Sequence, residues 1–215
     1  GTFDPPHIGH LILVDEARQQ LGLERVLWVL TPHPPHKPGQ PISPWPARLE
    51  LLQAALEGNP AFEISRVEID RPAPQYAFET VHLLGRQFPQ AELVYLMGGD
   101  SLRDLPAWMR PVDFLAACHA VGVMRRPGDA VDLLELERQL PGITGKVIFI
   151  ASPLLQISAR EIRRRAPLGE PIRYYLPETV YQLIIQKGFY GYKPLSRQET
   201  RRAGKSSTNG ANVGE

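Results

Sequence analysis

The sequence predicts an α/β fold, a doubly wound and mainly parallel sheet with helices on both faces, and three observations predict it. Along 215 residues, short continuous apolar runs alternate with segments whose apolar residues recur at helical spacing. The runs, such as Val26-Leu27-Trp28-Val29-Leu30 and Leu93-Val94-Tyr95-Leu96-Met97, lack the polar alternation of a half-solvated strand, which places them in a sheet buried on both sides. Glycines at the segment ends, Gly22, Gly58 and Gly98-Gly99, supply the stops. Ligands bind beyond the carboxyl ends of the strands in such sheets, so the chemistry belongs in the loops that follow them.

Taken in order, Leu11, Ile12, Val14, Ala17 and Leu21 predict a first helix, and 26–30 a buried strand. Residues 31–46 hold seven prolines and form a long loop. Leu49, Leu52 and Leu56 predict a second helix, Phe62 to Ile69 a strand, and Ala77 to Phe88 a helix. The run 93–97 is a strand ended by Gly98-Gly99; a helix over Val112–Cys118 and a strand over Ala120–Met124 follow. Helix Val131–Leu140, strand Val147–Ile150 and helices near Ala159–Ala166 and Glu178–Lys187 complete a domain over residues 1–192. Residues 193–215 lack aromatics and are rich in Ser, Gly, Asn, Lys and Arg, the composition of a disordered tail.

Composition narrows the partners. With 24 basic and 23 acidic side chains the net charge is +1, without the basic excess of a nucleic-acid binder. No apolar run approaches the roughly 18 residues of a membrane span. One cysteine, Cys118, excludes an internal disulfide framework and fits a reducing, cytoplasmic setting. The sequence leaves a homo-oligomeric state open.

Three constellations carry chemistry. The first, Gly1-Thr2-Phe3-Asp4-Pro5-Pro6-His7-Ile8-Gly9-His10, leads into the first helix. Two imidazoles around a glycine at a helix N-terminus make a phosphate cradle, since the backbone N–H groups there favour anions; the same pair also fits surface histidines near a cap. The second is Ile157-Ser158-Ala159-Arg160-Glu161-Ile162-Arg163, where Ser158 opens a helix and Arg163 lies near the same face, within reach of phosphate. An ordinary capped basic helix has the same pattern. The third is Gly98-Gly99-Asp100-Ser101-Leu102 with Leu105 and Trp108. Asp100 can accept ribose hydroxyls or cap a helix; the Trp108 indole can stack on a flat ring or pack in the core.

These segments resemble the signatures of the nucleotidyltransferase superfamily with the H-x-G-H motif, most closely the bacterial nicotinate-nucleotide adenylyltransferases. The first matches G-G-T-F-D-P-x-H-x-G-H, the second I-S-x-T-x-I-R with Arg160 at the threonine position, and the third G-x-D-S-L-x-x-L-x-x-W, with Met109 where some members have tyrosine. The match runs over about residues 1–190. It implies a Rossmann-like nucleotidylyltransferase fold, and a first strand and glycine ahead of Gly1 that the sequence as given does not contain. It implies catalytic roles for His7, His10 and Arg163, and ATP contacts from Gly1, Thr2, Phe3, His7, Gly9, His10, Ile157, Ser158 and Arg163. Substrate contacts are implied for Lys37 of Pro34-Pro35-His36-Lys37, for Tyr76 and Thr80, for Asp100 and Trp108, and for Arg126 of Arg125-Arg126-Pro127-Gly128. Tyr76 and Thr80 also read as structural, and the arginine pair also fits a solvated turn. Tyr175-Leu176-Pro177 and Gly188-Phe189-Tyr190 match the closing helix and its end, a structural element. The implied reaction joins nicotinate mononucleotide to the AMP part of ATP, with Mg²⁺ arriving on the ATP and no metal ligands in the protein. Rival readings are a related adenylyl or cytidylyl transferase, taking nicotinamide mononucleotide or pantetheine phosphate, and a nucleotide-binding protein without catalysis.

Overall fold

The structure is a computed structural model and describes residues 1–34, 39, 41–124, 131–153 and 155–194. Its strands are all parallel. β1 (Val26–Val29) pairs with β2 (Phe62–Ser65), Val26 opposite Phe62. β3 (Val94–Gly98), β4 (Ala120–Met124) and β5 (Val147–Ile150) form a second sheet in that order. Val94 stands opposite Ala120 and Val121 opposite Val147. The helices are α1 (Ile8–Gln20), α2 (Trp45–Leu56), α3 (Ala77–Gln87), α4 (Gly99–Asp104), α5 (Pro111–Ala117), α6 (Leu133–Gln139), α7 (Ala159–Arg165) and α8 (Glu178–Lys187).

The expected single sheet is thus two hydrogen-bonded sets among the described residues. They are joined by side chains: Leu96 of β3 packs against the core around Val26, Trp28 and Leu30 of the β1 side. Gly1 lies beside the end of β1, where its amino group donates to the Val29 carbonyl and its own carbonyl accepts from Thr31 N–H at 2.8 Å. The second core, around Phe114, Val121 and Val123, fills the space between β3–β4 and helices α3, α5 and α6; the third joins α2, α7 and α8.

Three boundaries differ from expectation. α2 starts at Trp45, inside the proline-rich stretch, because Pro46 falls in the first helical turn, where a missing N–H costs nothing. β2 ends at Ser65, and the Arg66–Asp70 ion pair closes the turn that replaces the rest of the strand. Helix α4 begins straight after β3, so Gly98-Gly99 is both strand end and helix start.

Helix α1 lies on β4 and β5. Gly122 of β4 lets it approach: a Cβ there would stand 2.6 Å from Leu96 Cδ2 and 3.1 Å from Leu21 Cδ1. Gln20 anchors the same end of α1, donating to the Ala151 carbonyl at 2.6 Å and accepting from its N–H at 2.9 Å.

Candidate active site

The opening loop is shaped by buried polar groups more than by its own propensities. Arg48 of α2 is 1% exposed. Its guanidinium donates to four backbone carbonyls: Ser43 (2.8 Å), Thr2 (2.8 Å), Thr31 (3.0 Å) and Pro32 (2.7 Å). One side chain thereby ties the opening loop to the loop after β1 and the entry to α2. Burial lowers the Arg48 pKa from its ordinary value, and the nearby Asp4 carboxylate opposes that shift. Asp4, 2% exposed, accepts from Ser43 N–H at 3.1 Å and from the Tyr190 hydroxyl at 2.9 Å. Phe3 takes a left-handed φ of +46° between them, a costly conformation for an aromatic residue that the surrounding bonds hold in place. Its ring meets His10 edge-on at 5.4 Å and leans on Trp28 at 5.3 Å.

His7 is the N-cap of α1, and its backbone N–H donates to His10 Nδ1 at 3.2 Å. With Nδ1 accepting, the proton of a neutral His10 ring sits on Nε2. The two imidazoles stack with centroids 3.6 Å apart. Gly9 stands between them for a steric reason: a Cβ would be 3.0 Å from His7 Nδ1 and 3.6 Å from Ile157 Cβ. The segment before α7 therefore packs directly on the H-x-G-H turn. Ser158 caps α7, its hydroxyl accepting from Glu161 N–H at 3.2 Å. Arg163, in the second turn, donates to the Asp4 carbonyl at 2.5 Å and approaches Asp4 Oδ2 at 3.8 Å. The first and second motifs, some 150 residues apart in sequence, thus form one cluster holding Gly1, Thr2, Phe3, His7, Gly9, His10, Ile157, Ser158 and Arg163. Arg160 points to solvent.

The third motif is built differently. Gly98 caps α4, so Asp100 is the second helical residue and not the cap that was one alternative for it. Its exposed carboxylate pairs with Arg103 at 3.0 Å. Trp108 is half-buried and meets Tyr95 and Phe114 edge-on, at 6.2 Å and 5.4 Å, so core packing claims part of the indole. Tyr76 precedes α3 and stacks on Phe78 at 6.2 Å. Thr80 is 3% exposed, and its hydroxyl donates to Glu68 at 2.7 Å and accepts from Arg71 at 2.8 Å. Arg71 also holds the Tyr76 carbonyl at 3.0 Å. Thr80 therefore supports Tyr76 from inside the protein. Lys37 and Arg126 lie outside the described residues, as do His36, Arg125 and the tail from 195 onward.

Sequence reasoning did not single out Arg48, gave Asp4 no role beyond its place in the first motif, and read Tyr190 as structural. Arg48 carried a signal: it stands at i, i+4, i+8 with Leu52 and Leu56, an arginine on the core-facing stripe of its helix. Among the described residues no group of three His, Cys, Asp or Glu side chains could hold a metal ion. Both Asp4 carboxylate oxygens are already engaged, by Ser43 N–H and the Tyr190 hydroxyl.

The Cytidylyltransferase-like family matches residues 1–165. A probable nicotinate-nucleotide adenylyltransferase of Thermomicrobium roseum is 46% identical over 190 residues, 88% of each chain. One of Roseiflexus castenholzii is 42% identical over 88% of this chain and 94% of that one. In structure, the chain resembles the Plasmodium falciparum nicotinic acid mononucleotide adenylyltransferase complexed with NaAD, with a TM-score of 0.73 over 90% of this chain and 95% of that one. At 16% identity that likeness speaks for the fold alone. The chain belongs to the cytidylyltransferase-like nucleotidyltransferases and, within them, to the nicotinate-nucleotide adenylyltransferase family.

Proposed function

We propose that this enzyme transfers the adenylyl group of ATP to nicotinate mononucleotide, giving nicotinate adenine dinucleotide and pyrophosphate. The observation that carries the reading is the convergence of His7, His10 and Arg163 on one site, sealed by the Arg163–Asp4 contact. A phosphate oxygen of the mononucleotide attacks the α-phosphorus of ATP in line. One P–O bond forms, the bond to the β-phosphate oxygen breaks, and the electron pair leaves with pyrophosphate. The attacking phosphate has a second pKa of about 6, so it is ionised at neutral pH and needs no general base. Catalysis then rests on positioning and charge neutralisation.

In this reading His10 offers Nε2–H to the α-phosphate, where charge grows in the transition state. His7, the N–H groups of α1 and Arg163 hold the β- and γ-phosphates, assisted by Lys37. Mg²⁺ enters as part of the substrate, on the triphosphate. Asp100 takes the ribose hydroxyls, Trp108 and Tyr76 flank the pyridine ring, and Arg126 contacts the substrate. The reading includes a cytoplasmic location, supported by the lone cysteine; burial pushes its thiol up to about 12. No helix among the described residues is long and apolar enough to cross a membrane.

The test is pyrophosphate release from MgATP with nicotinate mononucleotide, nicotinamide mononucleotide and pantetheine phosphate in turn. Turnover highest with the first supports the reading. Turnover only with pantetheine phosphate, or with none of the three, removes it.

A further inference from the structure

The turn that closes the fold reaches into the phosphate site. After α8 the chain passes through Gly188, Phe189, Tyr190 and Gly191, and the Tyr190 hydroxyl donates to Asp4 Oδ1 at 2.9 Å, across 186 residues of sequence. Tyr190 adopts φ +58°, ψ 17°, the left-handed region, between two glycines that also have positive φ. A third glycine would end the helix without strain. A tyrosine held there is over-determined by its surroundings: its hydroxyl donates to Asp4, 2% exposed, and also bonds the Ser43 side chain.

That carboxylate stands between two functions. Its Oδ2 accepts from Ser43 N–H at 3.1 Å and lies 3.8 Å from Arg163 Nη1, while the Asp4 carbonyl accepts from the same nitrogen at 2.5 Å. With Tyr190 satisfying Oδ1, Arg163 makes its short contact to the Asp4 carbonyl and keeps only a long ion pair, 3.8 Å, to Oδ2. Its charge stays available to an incoming triphosphate. Without the phenol, a buried carboxylate lacking a donor draws in the nearest cation. We propose that Tyr190 is a positioning residue of the ATP site, which through Asp4 keeps the Arg163–Asp4 ion pair long instead of letting it close, and holds the loop that carries His7. Burial, with Asp4 beside it, raises the Tyr190 pKa above its ordinary value, so the phenol remains a donor at every working pH.

This inference rests on the adenylyltransferase reading, and the experiment separates the two. Tyr190→Phe keeps the ring and its packing and removes only the hydroxyl. The expected result is an apparent KM for MgATP raised about tenfold, the scale of one hydrogen bond to a charged group. KM for nicotinate mononucleotide should stay within about twofold, and the melting temperature should fall by several degrees, since a buried carboxylate loses a donor, with the chain still folded at assay temperature. In an Arg163→Ala background the same change should leave ATP affinity where Arg163→Ala alone put it, since the two substitutions act on one interaction. ATP affinity is read by titration calorimetry as well as by turnover. Wild-type protein that binds ATP but does not use nicotinate mononucleotide would sink the enzyme assignment and still leave Tyr190 measurable. An unchanged ATP affinity, an equal loss for both substrates, additivity with Arg163→Ala, or a Tyr190→Phe chain that does not fold would each overturn the proposal.

Discussion

At the proposed phosphate end of the site, side chains from residues 4, 48, 163 and 190 meet through backbone carbonyls and one buried carboxylate. At the proposed pyridine end, Asp100 and Trp108 stand eight residues apart on one short run of chain, Asp100 in a solvent-exposed ion pair and Trp108 against two aromatic edges. The first arrangement closes only when the whole domain has folded, because its parts come from both ends of the sequence. The second is largely local. A triphosphate concentrates charge and needs donors fixed before it arrives; a pyridine ring and a ribose need a flat face and an acceptor, which a short segment provides. In the proposed reading the phosphate chemistry is tied to the whole fold, while pyridine recognition rests on one short segment whose Leu102 and Leu105 are themselves core residues.

Substitutions at the two ends should separate accordingly. The largest effect is expected from His10→Ala, which removes a preorganised donor at the α-phosphate: kcat should fall on the order of 10²–10³ with the fold intact. Steady-state pyrophosphate release, with circular dichroism as control, measures it, and a folded variant with near-normal kcat takes His10 out of the mechanism. Arg48→Met should strip four carbonyls of their donor and cost about 3 kcal/mol. That lowers the melting temperature by roughly 6–12 °C. Calorimetry showing a wild-type midpoint would mean that the loops hold without Arg48, and the contrast between the two ends would lose its basis.

The pyridine end should respond in binding and not in folding. Trp108→Ala should weaken nicotinate mononucleotide binding by about 1–3 kcal/mol, the scale of a lost stacking platform, and leave ATP binding almost unchanged. Equal losses for both ligands would make Trp108 a core residue and nothing more. Asp100→Asn should have the smallest structural effect, since an exposed ion pair contributes about 0–1 kcal/mol. Its melting temperature should match wild type while KM for the mononucleotide rises several-fold. A change in melting temperature with KM unmoved would assign Asp100 to the surface alone.

The parallel α/β architecture was legible because continuous apolar strands and helical spacing are local signals, and β4, buried along Ala120–Val123, shows them at their clearest. The paired histidines, Gly9, Ser158 and Arg163 were legible as motifs. Helix α4 was legible only as the alternative in which Asp100 caps a helix, because Gly98-Gly99 reads equally as a stop and as a cap; the cap is Gly98. The network behind the motifs was also hidden. Nothing local distinguishes Asp4 as the acceptor for a tyrosine 186 residues away, or tells that the Thr80 hydroxyl turns inward to Glu68. Such pairings exist only once distant segments have met, and periodicity carries no record of them.

The seat of α1 at Gly122 has a mechanical consequence. The helix is 13 residues long, about 20 Å at 1.5 Å per residue. It is clamped to the sheet at its far end by Leu21 and Gln20, and it presents His7 and His10 at the other. It is a lever with its fulcrum under the absent side chain of Gly122. A tilt of about 5° there would swing the imidazoles by roughly 1.7 Å over that length, more than a hydrogen bond to an α-phosphate tolerates. In the proposed mechanism the aim of the imidazoles is thus set at both ends of the helix, by Gly9 against Ile157 and, about 20 Å away, by the thickness of the methyl group that Gly122 lacks.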